Sequence, residues 1–212
     1  MGAVHPLDRL AFIATKAVPA DEGPAWSRWL RSHTAAHDGR VWRLLAPAPA
    51  GRPGAGHSHV IHLPADRLTG FDRETAAARA DGRAHAHAEI RRDEWRRAGQ
   101  PIVVRPEAEI TGMIVAEVLC TDPERVDEWN RWYDDQHLPD MMASGAFVAG
   151  SRWRRHPTRA GTADHLTIYE VSGCTVEEAI EQSAAVMPGL IAQGRKHERH
   201  TGGLTWALDA TT

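Results

Sequence analysis

Tyr133 and His137 are the residues of this chain best placed to move a proton. They stand one helical turn apart in Trp132-Tyr133-Asp134-Asp135-Gln136-His137-Leu138-Pro139, and that spacing sets phenol and imidazole on one helix face. The imidazole is the side chain whose ordinary pKa lies nearest neutrality, and it serves as general acid or base. The phenol can hydrogen-bond a carbonyl or donate to a developing oxyanion. His137 closes the stripe Val126, Trp129, Tyr133, His137, which aims its ring inward rather than at water. A helix C-terminus favours the imidazolium and burial favours the neutral ring; proton transfer stays within reach of both. The plain structural alternative is a histidine that seals a helix end against a carbonyl, with Tyr133 a core aromatic whose hydroxyl reaches the surface.

Other side chains could shape a pocket around this pair. The sequence holds eight Trp against three Phe and two Tyr. Trp129 and Trp132 share the helix and Trp153 lies on a strand; indoles make flat walls for an aromatic guest, and they also simply fill cores. Trp132, at the edge of the stripe beside Tyr133, is the strongest candidate of the three for touching a ligand. Arg152 and Arg154 alternate opposite Trp153, and one guanidinium could clamp a carboxylate or enolate. A solvated strand edge is the ordinary reading of Arg152, Arg154 and Arg155. His165 and Tyr169 share a strand face, with Thr167 between them, and could line the same pocket as His137.

Other histidines form smaller groups: His57, His59 and His62 on one strand, His85 and His87 in a helix-permissive segment, His197 and His200 near the last strand. His57 and His59 share a face, but no Cys or carboxylate at ligand spacing joins them, and no His-Glu-x-x-His helix exists; no metal is expected. No Gly-rich phosphate loop, nucleophile elbow or dinucleotide fingerprint is present, so nicotinamide, flavin and triphosphate chemistry have no support and no cofactor is expected.

The elements that must position Tyr133 and His137 read clearly. Met113–Leu119 is an apolar strand. Thr121 or Asp122 caps a helix that Pro123 suits in its first turn. Pro139 disfavours helical geometry at Leu138, which predicts that the helix stops near His137. Strands follow at 146–154 and 165–171. Thr175 and Glu178 form a capping box opening a helix to about Arg195, and Leu204–Leu208 is the last strand.

The same order occurs once before. A strand at 10–17 leads to a helix whose stripe is Trp26, Trp29, Leu30, His33 and His37. Strands at 40–46 and 57–63 flank a Pro- and Gly-rich loop at 47–56; residues 71–97 are helix-permissive; 102–105 is a short strand and 106–109 a junction. Trp26 and Trp29 repeat the spacing of Trp129 and Trp132, and Gly39-Arg40-Val41-Trp42-Arg43 matches Gly150-Ser151-Arg152-Trp153-Arg154. The first copy carries Leu30 where Tyr133 would fall and lacks the segment 133–139. These patterns predict an α+β fold of two fused ferredoxin-like (βαββαβ) repeats, 1–107 and 108–212, the first degenerate, packed sheet to sheet into a barrel within one chain.

The bulk numbers narrow the classes. At 212 residues the chain can bury a substantial core. A quarter of its residues are charged with a formal net charge of −3, which argues against disorder and gives no basic footprint for nucleic acid. The two cysteines make no disulfide framework. No signal-peptide core or membrane-spanning run is apparent, so a cytoplasmic protein without a membrane partner is expected.

Trp132 to Pro139, followed by Gly145-Ala146-Phe147 and Ser151-Arg152-Trp153, resembles the dimeric α+β barrel superfamily. Within it the pattern resembles EthD-like proteins, whose first helix commonly ends in Trp-Tyr…His-hydrophobic-Pro. The family usually builds its barrel from two chains; here two fused copies look as though they supply it alone, and such a chain could still form a homodimer. The resemblance implies a small-molecule enzyme without a cofactor, acting on an aromatic or polyketide-like carbonyl compound. Cyclisation, isomerisation or dehydration through an enol is the leading expectation. A cofactor-free monooxygenase and a non-catalytic binding or stress-response module are the alternatives. Haem-binding branches also occur, so fold alone does not fix the reaction.

Overall fold

Alternation along the strands sorts the apolar residues into groups before any topology is drawn. In β6 (Gly112–Cys120), Met113 and Val115 face one way and Ile114, Ala116 and Val118 the other. In β8 (His165–Val171), Leu166 and Ile168 oppose Tyr169 and Val171. In β3 (His57–Pro64), Val60 opposes Ile61 and Leu63. Strands that bury both faces must lie in a middle layer.

The structure, a computed structural model, describes residues 4, 6–16, 23–45, 57–82, 89–158 and 164–210. The other strands are β1 (Arg9–Lys16), β2 (Arg40–Leu44), β4 (Glu89–Arg97), β5 (Ile102–Val103), β7 (Ala149–His156) and β9 (His200–Ala210). They form one antiparallel sheet in the order β4-β1-β3-β2-β9-β6-β8-β7-β5, and a further β4–β7 pairing closes it into an eight-strand barrel. The short β5 pairs with the Ala149–Gly150 end of β7, beyond the stretch that β4 occupies. With the two-residue β5 set aside, β1–β4 and β6–β9 each follow the same spatial order, fourth, first, third, second.

The barrel interior is filled, not hollow. Trp42, Trp95, Trp153 and Trp206 meet there with Phe12, Met113 and Ile168. Trp42 Nε1 donates to His62 Nδ1 at 2.6 Å, and burial holds that imidazole neutral, with a pKa of about 3. Helices α1 (Gly23–Ala35) and α2 (Leu68–Ala80) cover one outer face over Ile13, Ile61 and Leu63. On the opposite side α3 (Val126–Trp132), α4 (Leu138–Ala143) and α5 (Val176–Ala192) cover Ile114, Val118 and Tyr169. No helix among the described residues is long and apolar enough to cross a membrane.

Glycine permits a close helix-to-strand approach in each half. A Cβ on Gly39 would stand 2.6 Å from the His62 carbonyl oxygen and 2.8 Å from Thr34 Cγ2; one on Gly150 would stand 2.8 Å from Met142 Sδ and 2.9 Å from Leu138 Cδ1.

Several expectations need correction. Residues 89–97 are strand β4, not helix, because pairing with β1 and β7 overrides a composition that reads as helix-permissive. Helical structure does not end at His137: Tyr133–His137 is a π-helical turn and α4 continues from it. Arg152 and Arg155 are not on a solvated edge. They are 2% and 4% exposed, whereas Arg154 does face water. Asp122 provides the expected cap, accepting from the Glu124 amide, and the Thr175–Glu178 box has both of its hydrogen bonds. β7 runs to His156, α5 ends at Ala192 and β9 starts at His200. The expected loop at 47–56, His85, His87 and the side chain of His57 lie outside the described residues.

Candidate functional site

The π-helical turn is the local feature from which the site grows. Pro139 has no amide hydrogen, and in an unbroken α-helix its ring would press on the carbonyl of Asp135. The chain absorbs this with a wider turn, in which the Leu138 amide bonds the Tyr133 carbonyl five residues back. Pro139 then falls in the first turn of α4, where no amide partner is needed. Such turns recur at functional sites because they redirect side chains without ending the helix. Here both Tyr133 and His137 belong to it.

Both residues line a cavity of about 410 Å³ between the outer face of the second-half sheet and its helices. β6 supplies Ile114, Ala116 and Val118; Tyr169 and Phe147 stack at 4.6 Å; Met141 and Met187 come from α4 and α5. The walls are thus largely apolar, with polar groups from Tyr133, His137, Tyr169, Ser183, Lys196 and His200. That composition suits a mostly apolar organic ligand held by a few oriented polar contacts.

The phenols form a connected pair. Thr167 Oγ1 donates to Tyr133 Oη at 2.7 Å, and the Tyr169 hydroxyl is hydrogen-bonded to the same oxygen. Both contacts favour the ionised form of Tyr133. Burial pushes the Tyr133 phenol above its ordinary range, opposed by Thr167, by the Arg152 charge and by Tyr169. Burial, reinforced by Tyr133, raises Tyr169 further. The pair is therefore protonated at neutral pH, able to donate and not to abstract.

Arg152 does not reach the cavity. Its guanidinium lies 4.4 Å from the Tyr133 ring centroid and 5.3 Å from that of Trp129. It donates to Asp134 Oδ1 at 2.6 Å, to Asn130 Oδ1 at 2.7 Å and to the Asn130 carbonyl at 3.2 Å. From behind the ring it favours negative charge on the phenol oxygen. It thus supports Tyr133 from behind and lies outside the cavity lining.

Imidazoles complete the arrangement. His137 is half-buried, stacked on Trp132 at 5.0 Å with its ring 5.6 Å from that of His200. Burial brings its pKa down to about 4, helped by His200 and Arg152 and opposed by Asp140. His200 is also lowered to about 4, by burial first and then by Lys196, His197 and Arg152. Both rings are neutral at pH 7 and so are proton acceptors.

A pH profile should show this. Catalysis that needs a neutral imidazole should hold kcat/KM flat through neutral pH and lose it on an acid limb near pH 4 rather than near 6.5. Because the two rings interact, the limb belongs to the pair. Stability has the same sign: the folded rings bind protons less readily than unfolded ones, so their contribution is complete above 6.5 and is lost as pH falls from 6.5 to about 4. A pH–rate profile alongside urea midpoints across that range checks both.

The other expected residues sit apart from the cavity. Trp132 donates from Nε1 to the Arg195 carbonyl at 2.9 Å and borders a separate recess of about 50 Å³ with His137, Asp140 and Arg195. Trp129 is fully buried, its ring 4.8 Å from His165 and 5.2 Å from Tyr133. Trp153 is in the barrel interior, its Nε1 donating to Ser151 Oγ at 3.0 Å. His165 shares a hydrogen bond of 2.8 Å with Asp164. Ser183, Lys196 and His200 are the polar lining residues that sequence reasoning did not place there. The signal was β9 pairing with β6, which sets His200 opposite Cys120. Cys120 and Cys174 are both free thiols.

Neither a protein-family profile nor a curated protein matches the sequence. Solved structures do match its fold. A provisionally assigned monooxygenase from Fusobacterium nucleatum subsp. nucleatum aligns at TM-score 0.58 and 6% identity, over 97% of this chain and 95% of that one. An anthrone oxidase-like protein aligns at 0.55 and 11%, over 96% and 91%. A mutant chlorite dismutase from Candidatus Nitrospira defluvii aligns at 0.57 and 11%, also over 96% and 91%. At these identities the likeness concerns architecture alone: the chain shares the α+β barrel fold of these structures.

Proposed function

We propose that this chain is a cofactor-independent enzyme that removes a proton from an aromatic or polyketide-like carbonyl compound and lets the resulting carbanion react with dioxygen. The observation that carries the reading is the π-helical turn that brings neutral His137 and protonated Tyr133 to one largely apolar cavity. An imidazole whose conjugate acid has a pKa of about 4 is a weak base, so it suits a C–H already acidified by a carbonyl and aromatic rings, as in an anthrone. Tyr133 donates to the carbonyl oxygen as it gains negative charge, with Arg152 behind the ring. The balance is one methylene and one O2 giving one carbonyl and one water. The fold neighbours described as a provisional monooxygenase and as anthrone oxidase-like favour this order of preference.

The second reading stops at the carbanion. Cyclisation, isomerisation or dehydration would use the same base and donor without oxygen, and the proton-transfer geometry supports it equally. Oxygen uptake separates the two. With an anthrone-type substrate, one O2 consumed per turnover supports the oxygenase; substrate loss that proceeds unchanged without oxygen supports the proton-transfer enzyme; a ligand recovered intact from both leaves only a binding module. Under either enzymatic reading, Tyr133→Phe should lower kcat by about 10²–10³-fold with little change in KM, because the donated bond strengthens in the transition state. Steady-state kinetics on the folded variant measures it.

We further infer a history of fusion, with repeats at 1–107 and 108–212 and the second copy EthD-like. The equivalent burial of Trp42 and Trp153 in the barrel, and the equivalent crowding at Gly39 and Gly150, support it. The partners proposed are a small-molecule substrate and a second copy of the chain, in the cytoplasm.

A further inference from the structure

The helix-covered face of the first half holds a cluster that the proposed reaction does not use. His33 lies on α1 and His37 just beyond its end, one turn apart; Glu74 faces them from α2. His37 Nε2 is 3.0 Å from Glu74 Oε2, and His33 Nδ1 is 4.0 Å from the same oxygen. The three ligand atoms all lie within 4.8 Å of one another. A tetrahedral Zn²⁺ with bonds of about 2.0–2.1 Å sets its ligand atoms roughly 3.3 Å apart, so a small rotation of the half-exposed Glu74 side chain would meet that geometry.

The hydrogen bonds around His33 fix which nitrogen faces the cluster. Thr75 Oγ1 donates to the Phe71 carbonyl at 2.7 Å. Its oxygen is then the acceptor for His33 Nε2–H at 2.9 Å, and Phe71 O takes the same hydrogen at 3.3 Å. Nδ1 is the ring nitrogen turned toward the Glu74 carboxylate. An oriented histidine whose second nitrogen donates to a carbonyl or hydroxyl is the usual surrounding of a metal ligand. The rings are also held in place: His33 stacks on Trp29 at 4.7 Å, and Phe71 packs on His33 at 4.6 Å and on His37 at 5.7 Å. A Cβ on Gly70 would lie 3.2 Å from His37 Cε1, so α2 comes this close because it has glycine there.

We infer that His33 Nδ1, His37 Nε2 and the Glu74 carboxylate bind one divalent transition-metal ion of the Zn²⁺ class, clamping α1 to α2. Two imidazoles and one carboxylate are borderline-soft ligands that favour Zn²⁺ or Co²⁺ over Mg²⁺ or Ca²⁺. A fourth position remains toward solvent beside Glu74, whose side chain is 50% exposed. The site lies in the other half from the cavity and stands independently of the function proposed for it.

Co²⁺ and Zn²⁺ titrations of the full-length, tag-free, EDTA-stripped protein test this. Wild type should bind one Zn²⁺ tightly, give the intense visible bands of four-coordinate Co²⁺, and melt higher with Zn²⁺ than with EDTA. His33→Ala/His37→Ala should lose all three signals. Glu74→Gln alters a half-exposed side chain and keeps the test valid if the double variant misfolds; it should weaken Zn²⁺ binding by more than tenfold. Thr75→Val leaves every ligand in place and should weaken binding by about 10–100-fold. Equal Zn²⁺ uptake by wild type and Glu74→Gln would assign the metal to other members of the thirteen histidines and overturn the inference, as would a melting temperature indifferent to Zn²⁺ and EDTA.

Discussion

Replacing His137 by alanine should lower turnover by about 10²–10⁴-fold while the protein stays folded. The ring is half-buried at the cavity wall and stacks on Trp132, whose own position is fixed by its bond to the Arg195 carbonyl. Removing it enlarges an existing space instead of opening a void in a sealed core, so the stability cost should be modest. The π-helical turn depends on Pro139 and the Leu138–Tyr133 backbone bond, neither of which the substitution touches. His200 remains, its ring 5.6 Å from where His137 was. Residual activity should come from it and should keep an acid limb near pH 4; a His137→Ala/His200→Ala protein should fall further. His137→Gln, which restores polarity without basicity, should not rescue. Steady-state kinetics with circular dichroism as the control for folding checks this. Unchanged turnover in folded His137→Ala would remove the imidazole from the chemistry and leave only a cavity with a histidine at its rim.

The second half was readable because its local signals agree with its tertiary role. Asp122 caps, Thr175 and Glu178 box, and the stripe from Val126 to His137 faces the sheet. Strand alternation puts His165 and Tyr169 on one face, within reach of the pocket of His137, and the cavity takes in Tyr169 with Tyr133 and His137 but not His165. Where the reading failed, a distant partner decided. Glu89–Arg97 looks like helix until β1 and β7 are there to pair with it. Pro139 is ordinarily a stop signal, and only a tolerant π-turn shows how the chain passes it. Arg152 resembles a solvated strand residue because nothing local announces Asn130, Asp134 and the two rings that bury it. His200 was visible as a histidine, but its place at the cavity needed the β6–β9 register. The His33–His37 spacing was visible on a stripe, whereas Glu74 required the packing of α2 on α1.

Asp93→Ala should cost about 3–5 kcal/mol of stability. Asp93 on β4 and Arg155 on β7 form an ion pair whose side chains are each 3% exposed. The guanidinium also lies over the Trp95 ring at 4.3 Å. Truncating Asp93 removes a carboxylate from a guanidinium that stays buried against tryptophan, and the penalty is the desolvation of that charge more than the loss of an attraction. The position raises the stakes. β4–β7 is one of three strand pairings that join the halves, with the two-residue β5–β7 and with β2–β9, where the pair Arg43–Asp209 is far more exposed. β7 also supplies Gly150, against which Leu138 and Met142 of α4 pack directly after His137. A loosened seam should therefore be felt at the cavity as well as in global stability. Replacing both partners, as Asp93→Leu/Arg155→Leu, strands no charge and should cost much less than the sum of the single changes. Urea midpoints for the two singles and the double give the coupling; additive effects within about 0.5 kcal/mol would show that the seam is held by its backbone ladder and the surrounding tryptophans, not by this pair.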